Sequence, residues 1–192
     1  MRHVISALVM NEPGVLASVA GLFSARGFNI DSLVVGRTEN PELSRMTVVC
    51  NGDENTLEQI RKQLAKLVPV IKVRDFKGAS YVERDLCLMT VNVGPEHRGE
   101  VLGLITTFRG RVVDVAKTSV MVEIAGTEEK IEALIELLKP YGIKELARTG
   151  VIAMSRGTQQ AKDDAAEKSS AATGGKRKRS LEAPPAPALP PS

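Results

Sequence analysis

The sequence contains few of the residues from which catalytic and metal sites are usually built. Its 192 residues include two histidines, two cysteines and no tryptophan. Neither His3 nor His97 has a visible catalytic partner, so we expect both to lie at the surface. Cys50 and Cys87 each lie in an apolar, strand-like run with no second ligand at a suitable spacing, which predicts buried free thiols rather than a disulfide or a zinc site. We therefore predict no catalytic and no metal-binding residues.

The sequence also lacks the common cofactor and nucleophile motifs. It contains no GxxxxGKS or GxxxxGKT, no GxGxxG, no GxSxG and no HExxH. No apolar run approaches the roughly 18–20 residues that are needed to cross a bilayer. The first residues have a strand pattern with no signal-peptide cleavage site after it, so we expect a cytoplasmic protein without a membrane partner.

Aromatic residues and net charge are scarce as well. Four phenylalanines and two tyrosines leave few platforms for the base stacking that RNA-binding βαββαβ modules use. The formal net charge is +3, and the KRKR run at Lys176–Arg179 alone contributes four positive charges. That run permits a nuclear-localisation reading, although a solvated tail is the commoner case. A nearly neutral remainder gives weak support for a nucleic-acid surface, and we predict no nucleic-acid partner.

Composition changes abruptly after Gly157. Residues Thr158–Ser192 are rich in Ala, Lys, Glu, Ser and Gly and then in Pro, with almost no large apolar side chain. Such a segment cannot offset the entropy cost of ordering, which predicts a disordered C-terminal tail over 158–192. The chain as a whole is 43% apolar, which is enough to build hydrophobic cores in the part before the tail.

Hydrophobic periodicity in the first half predicts the order βαββαβ. Period-2 and period-3.6 segments alternate and are separated by turn signals such as Asn11–Gly14. The predicted strands are His3–Met10, Asn29–Gly36, Arg45–Cys50 and Val68–Phe76, and the predicted helices are Val15–Arg26 and Thr56–Leu67.

The second half repeats this order. Its predicted strands are Asp85–Val93, Arg111–Val115, Ser119–Ile124 and Ile143–Met154, and its helices are Gly99–Phe108 and Thr127–Leu138. In both halves Arg-Gly follows the first helix and an aspartate comes four residues after the glycine, at Asp31 and Asp114. We therefore predict two similar α+β domains, 1–77 and 84–157, joined by a linker at 78–83.

Each predicted domain should form a four-stranded antiparallel sheet with both helices on one face. The other face also carries apolar residues and needs cover. We expect that face, or the edge strand of the sheet, to pair with another subunit.

The junction between the first strand and the first helix indicates a binding site. In NEPGVL the strand ends at Asn11, and Gly14 allows the backbone to come close to a ligand above the helix. The free N–H groups of Gly14, Val15 and Leu16 would point outward and suit a carboxylate. The Asn11 amide both donates and accepts, which suits a zwitterion. Taken by itself, the same stretch also fits an ordinary strand-turn-helix connection, and Asn29 fits a turn residue.

The segment NEPGVLASVAGLFSARGFNIDSLVVGRTENPELSRMTVV resembles the ACT domain of the regulatory (small) subunits of acetolactate synthase, also called acetohydroxyacid synthase. The similarity extends over nearly all of Met1–Gly157, through LEQIRKQLAKLVPVIKV, YVERDLCL, FRGRVVDV and ARTGVIAMSRG. The resemblance implies two ferredoxin-like βαββαβ domains in tandem, an N-terminal ACT domain and a C-terminal small-subunit domain. Only the tail after Gly157 departs from the family pattern.

The same resemblance implies a non-catalytic subunit of the branched-chain amino acid pathway. Its partner would be a catalytic (large) subunit that itself carries thiamine diphosphate, FAD and Mg²⁺, with no cofactor in this chain. The small subunit would raise the activity of that partner and make it sensitive to feedback inhibition by valine. It would form a homodimer through the ACT domain. Carried over to this sequence, Asn11, Gly14, Val15 and Leu16 of one subunit and Asn29 and Ile30 of the other would hold the effector.

Three other hypotheses about the function remain open. A free-standing ACT sensor could regulate another enzyme or a transcription factor, although the second domain and its RTGVIAMSRG ending argue against it. An RNA-binding module is disfavoured by the scarcity of aromatic residues. An independent enzyme is disfavoured by the lack of any catalytic motif.

Overall fold

The computed structural model describes residues 1–157, so the predicted disordered tail at 158–192 lies outside the described residues. Two antiparallel sheets and four α-helices make up this part, together with a short 3-10 helix at Lys139–Tyr141. The elements are β1 (Arg2–Met10), α1 (Val15–Ser24), β2 (Ser32–Arg37), β3 (Leu43–Asn51), α2 (Glu54–Leu64), β4 (Val70–Asp75), β5 (Tyr81–Asn92), α3 (Arg98–Thr107), β6 (Arg111–Val115), β7 (Ser119–Gly126), α4 (Glu128–Leu138), β8 (Ile143–Arg148) and β9 (Ile152–Ser155).

The first sheet has the strand order β2-β3-β1-β4, and all of its neighbouring strands are antiparallel. Alternate residues of β1 and β3 face α1 and α2, as period 2 requires of a sheet that is covered on one face. The resulting core contains Ile5, Ala7, Val9, Val15, Val19, Leu22, Phe23, Met46, Val48, Cys50, Leu57, Ile60 and Leu64. The predicted βαββαβ order of the first half is confirmed.

Local signals mark the ends of the helices of this unit, although α1 and α2 end two and three residues before the predicted Arg26 and Leu67. The Asp53 side chain accepts a hydrogen bond from Thr56 N–H at 2.7 Å and caps α2. Gly27, after α1, has a φ of 67°, a conformation in which a side chain would be strained. Pro69 precedes β4, which lies at an edge of the sheet, where the lost N–H does not interrupt a ladder.

The second sheet repeats the topology with the order β6-β7-β5-β8, and β9 pairs with β5 outside this path. Its core, between this sheet and α3 and α4, contains Cys87, Met89, Val91, Val93, Val101, Ile105, Val120, Val122, Ile124, Ile131, Leu134, Ile135 and Leu138. The fold is therefore α+β with two tandem βαββαβ units, as the resemblance implies. Residues Met1–Arg156 form one compact unit that includes both sheets.

The prediction of a single last strand over Ile143–Met154 is wrong. The structure has two strands there, because the chain turns at Gly150, whose φ is 86°. The second of them, β9, pairs with Tyr81–Arg84 at the start of β5. The last three residues of the predicted linker 78–83 therefore lie in β5.

Part of the free face of the first sheet is covered from within the same chain. The segment around β9 contributes Val151 and Ala153 to a small apolar cluster with Val4, Val49 and Phe76. We expected another subunit to cover this face, and for this part of it the expectation is wrong. No local pattern indicates the contact, because it joins residues about 75 to 150 positions apart.

His3 also differs from its prediction as a surface residue. It is buried, with 4% of its area exposed, and its Nε2 lies 3.1 Å from the carbonyl oxygen of Gly52. The hydrogen bond satisfies the imidazole inside the protein. The two cysteines are buried and free, as predicted.

Candidate effector-binding site

The junction between β1 and α1 presents a helix N-terminus to the surface. Gly14 precedes the first helical residue with a φ of 84°, so the turn requires a residue that tolerates the left-handed region. Its carbonyl oxygen accepts hydrogen bonds from both Ser18 N–H, at 2.9 Å, and Ser18 Oγ, at 3.0 Å. Val15 N–H reaches Glu12 O only at 3.5 Å. The first amides of α1 are therefore weakly engaged by the protein and can bind an anion.

Electrostatically, α1 differs from every other α-helix in residues 1–157. It has no side-chain cap and no acidic residue in its first turn. Each of the others has at least one first-turn acid, namely Glu54 in α2, Glu100 in α3, and Glu128 and Glu129 in α4. An acidic group at this position offsets the positive end of the helix dipole. Among the α-helices of residues 1–157, α1 is the one whose first turn has no carboxylate to offset this charge, and Glu12 precedes the helix.

A cavity of about 400 Å³ lies beside this junction. A volume of that size is within the range of small-molecule sites. Its lining joins the β1–α1 turn to the turn before β4 and consists of Met10, Glu12, Pro13, Gly14, Val15, Ser18, Val68 and Pro69. Leu16, on the first turn of α1, is 47% exposed and offers an apolar contact next to the helix N-terminus.

The Asn11 side chain fixes the position of the turn. Its Nδ2 donates to the Pro41 carbonyl oxygen at 2.9 Å, and its Oδ1 accepts from Ser44 Oγ at 3.1 Å. These bonds tie the end of β1 to the connection between β2 and β3. A carboxamide has two N–H donors and two oxygen lone pairs, so one of each remains for a ligand.

The second predicted group, Asn29 and Ile30, lies in the connection before β2, which begins at Ser32 rather than at Asn29. Asn29 Nδ2 donates to one carboxylate oxygen of Asp31 at 2.7 Å, and Asn51 Nδ2 donates to the other at 2.7 Å. Ile30 is half-buried against the first core. Asp31 therefore holds Asn29 in a defined orientation at the protein surface.

The strand register places the two groups at opposite ends of the first sheet. Ser32, just after Asn29 and Ile30, pairs with Val49, which pairs with Val4 near the start of β1. Asn11 follows Met10, which ends β1 six residues beyond Val4, and a strand segment of that length covers about 20 Å. The structure thus brings Asn11, Gly14, Val15 and Leu16 together, whereas Asn29 and Ile30 of the same chain lie elsewhere.

The part of the chain that the structure describes contains no group of three or more His, Cys, Asp and Glu side chains that could hold a metal ion. None of its helices is long and apolar enough to cross a membrane. Burial raises the pKa of the Cys50 thiol to about 11, and nearby Asp31 and Asp75 add to the increase. Burial also raises the pKa of Cys87. Neither thiol is activated as a nucleophile.

Sequence reasoning missed two parts of this arrangement. It noted that Asp31 recurs as Asp114 in the repeat but gave it no role, although the Asn29-x-Asp31 spacing was available as a signal. It also did not predict the bonds of the Asn11 side chain to Pro41 and Ser44, which lie 30 and 33 positions away.

Comparison with known protein families assigns both halves of the chain. Residues 5–72 match the model of the AHAS small subunit-like ACT domain, and residues 84–157 match the model of the small subunit of acetolactate synthase. These matches cover both βαββαβ units, and the match of the first unit includes all six predicted site residues.

Curated relatives agree over most of the chain. A probable acetolactate synthase small subunit of Archaeoglobus fulgidus is 54% identical, with 83% of this chain and 100% of the relative aligned. The acetolactate synthase small subunit of Bacillus subtilis is 50% identical over 83% of this chain and 94% of the relative.

A solved structure supports the same assignment. The crystal structure of the acetolactate synthase small subunit from Thermotoga maritima matches with a TM-score of 0.75 and 43% identity, covering 81% of this chain and 98% of that one. The fold and the sequence of this chain therefore match those of that subunit over nearly all of residues 1–157. The chain belongs to the family of acetolactate synthase small subunits, which are regulatory rather than catalytic and have a catalytic subunit as their partner.

Proposed function

We propose that this chain activates the catalytic subunit of acetolactate synthase and makes it sensitive to feedback inhibition by valine, in the biosynthesis of valine, leucine and isoleucine. The observation that carries the proposal is the N-terminus of α1, which alone among the α-helices of residues 1–157 has no acidic first-turn residue, and which lies beside a cavity of about 400 Å³. We also propose that the protein is located in the cytoplasm, as the sequence analysis predicts.

The two ends of valine match what the junction offers. A carboxylate at a partly buried helix N-terminus gains of order 1–2 kcal/mol from the dipole and its hydrogen bonds. Burying the isopropyl group against Leu16 or Ile30 contributes roughly 2 kcal/mol. The free N–H and lone pair of Asn11 suit the ammonium and carboxylate of a zwitterion.

The proposed site is shared by two subunits of a homodimer. Asn11–Leu16 and Asn29–Ile30 lie at opposite ends of the first sheet, so one chain does not complete the site. A two-fold axis through adjacent ACT domains would bring the Asn11 end of one chain to the Asn29 end of the other and form two equivalent sites. Because such sites exist only in the dimer, effector binding and dimerisation stabilise each other.

Inhibition requires valine to favour one state of the complex over another. An allosteric coupling of about 1–3 kcal/mol corresponds to a change of roughly 5–150-fold. The small subunit supplies this coupling without any chemistry of its own, because thiamine diphosphate, FAD and Mg²⁺ belong to the catalytic subunit.

Reconstitution with the catalytic subunit tests the proposal. The small subunit alone should give no acetolactate from pyruvate, whereas its addition to the catalytic subunit should raise the rate and make it sensitive to valine. Calorimetric titration with valine, leucine and isoleucine identifies the effector. Failure to bind the catalytic subunit, with retained amino-acid binding, would instead support a free-standing sensor of another enzyme or a transcription factor.

A further inference from the structure

The chain turns between β8 and β9 at Thr149–Val151, and this corner contacts the start of β2 across the boundary between the two sheets. Val151 N–H donates to Ser32 Oγ at 3.1 Å. A Cβ on Gly150 would lie 2.5 Å from Ser32 Oγ and 2.9 Å from Val34 Cγ2, so the approach of these two side chains and the φ of 86° both favour a glycine there. The first sheet and this corner are in direct polar contact at Ser32.

A buried carboxylate anchors the corner to the second sheet. Asp85, on β5, is 2% exposed and accepts hydrogen bonds from Arg148 Nε at 2.7 Å, from Thr149 Oγ1 at 3.2 Å and from Gly150 N–H at 3.1 Å. Arg148 also forms an ion pair with Glu132 on α4. A displacement of the corner would therefore act on β5 and α4 together.

On the other side, Ser32 directly follows the segment that holds Asn29. Asp31 accepts the Asn29 amide, so Asn29, Asp31 and Ser32 form a short rigid connection at the start of β2. A cavity of about 300 Å³ lies against this contact and is lined in part by Asp31, Asp85 and Arg148. The corner is not closely packed on that side, which leaves room for a second arrangement.

We infer that the Ser32–Val151 hydrogen bond transmits effector occupancy at Asn29 to the C-terminal unit. This inference rests on the proposed function and names its internal connection. Binding of the effector at Asn29 displaces this segment and moves Ser32 against the corner, and Asp85 and Arg148 carry the displacement to β5 and α4. Ser32 is a positioning residue that does not touch the effector.

Other contacts hold the two units together without touching the Asn29 segment. Arg74 Nη1 on β4 donates to Ser155 Oγ on β9 at 2.8 Å, and Arg2 forms ion pairs with Glu83 and Glu128. With the apolar cluster beneath β9, these contacts should keep the units docked when the Ser32 hydroxyl is removed.

The test compares Ser32→Ala with Ser155→Ala in the full chain reconstituted with the catalytic subunit. Both substitutions remove one hydroxyl from the same boundary. Ser32→Ala should leave activation and the calorimetric Kd for valine unchanged and reduce the inhibition reached at saturating valine by at least about fivefold, within the usual range of coupling. Ser155→Ala should behave as wild type in all three measurements.

Amide hydrogen exchange of wild type supplies a readout that a merely structural role would not change. Saturating valine should alter the exchange rate of the Val151 amide, whose acceptor is Ser32 Oγ. The proposed relay from Ser32 to the C-terminal unit is overturned if valine leaves the exchange rate of the Val151 amide unchanged or if Ser32→Ala is inhibited normally. It is also overturned if both serine variants lose inhibition equally. If wild type neither binds valine nor is inhibited by it, the proposed function fails, and the relay fails with it.

Discussion

The β1–α1 and β5–α3 junctions occupy the same position in the two βαββαβ units and differ in their electrostatics. At the first, Gly14 precedes α1 in the left-handed conformation and no carboxylate lies in the first helical turn. At the second, the Glu96 carboxylate lies over Gly94, and Glu100 of the first turn is 3.6 Å from His97 Nδ1. Each junction has one carboxylate before its helix, Glu12 at the first and Glu96 at the second, so the difference lies in the first helical turn, where α3 has Glu100 and α1 has no acidic residue.

The second junction is also closed by the protein itself. Arg98, the first residue of α3, donates from Nη2 to the carbonyl oxygens of Ala116 at 2.9 Å and Lys117 at 2.7 Å. These bonds tie the start of the helix to the turn between β6 and β7. A repeated fold can thus keep an anion-binding helix terminus in one copy and use the same position for structural contacts in the other.

The largest expected effect comes from giving the first junction a negative charge. Gly14→Asp places a carboxylate where the carboxylate of valine is proposed to bind, and nothing lies within 4 Å of the position of its Cβ. We expect activation to persist and the calorimetric Kd for valine to rise by at least about 30-fold, equivalent to roughly 2 kcal/mol.

Gly14→Asn is the matched control, because asparagine has nearly the same size and also tolerates the left-handed region. It should weaken valine binding far less than Gly14→Asp does. Equal Kd values for the two variants would show that shape or backbone conformation, and not charge, decides binding at this junction.

A smaller effect is expected at the other end of the first sheet. Asn29→His replaces an amide that Asp31 orients and should raise the Kd for valine about tenfold through the loss of one or two hydrogen bonds. Asn51→His removes the other amide bond to Asp31 but lies outside the proposed site. Inhibition assays should show loss of sensitivity for Asn29→His only, and comparable losses in both variants would count against Asn29 as a contact.

Making α1 resemble the other helices is expected to have opposite effects on binding and stability. Ala17 is exposed in the first turn of α1, where Ala17→Glu would offset the helix dipole. We expect a Tm increase of about 1–3 °C and a rise in the Kd for valine of roughly threefold, relative to the uncharged Ala17→Gln. Thermal unfolding and calorimetry measure the pair, and a variant that binds valine as tightly as its control would contradict the electrostatic comparison.

The smallest difference is expected between the stabilities of the two units. Cys50 and Cys87 report on the first and second cores, and burial raises the pKa of both thiols, to about 11 for Cys50. Pulsed alkylation along a urea titration, read by mass spectrometry, should label both at the same midpoint because the units share an apolar cluster. Labelling of one cysteine at clearly lower urea would mean that the units unfold separately.

Local signals predicted most of the fold. Alternating and helical periodicities located every α-helix and strand of both units up to β8 but not the 3-10 helix at Lys139–Tyr141, and strand β6 has the predicted bounds Arg111–Val115. The break at Gly150 was missed because the apolar pattern continues across it, and the pairing of β9 with β5 joins residues about 70 positions apart. The burial of His3 depends on the same kind of distant contact.

The candidate site was predictable only in part. The junction Asn11–Leu16 is continuous in sequence, so its turn, glycine and helix start could be recognised together. The separation of Asn29 from this group follows from the strand register, and the orientation of Asn29 by Asp31 depends on side-chain geometry. The register is not encoded in a local pattern, so the sharing of the site between two subunits rested on the family resemblance.

Subunit complementation tests the shared site most directly. In a purified heterodimer of Gly14→Asp and Asn29→His chains, one site receives both substitutions and the other receives neither. Each variant homodimer should bind valine only weakly, whereas the heterodimer should bind one valine per dimer with the wild-type Kd in a calorimetric titration. Weak binding by the heterodimer, equal to that of the two homodimers, would contradict a site built from two subunits.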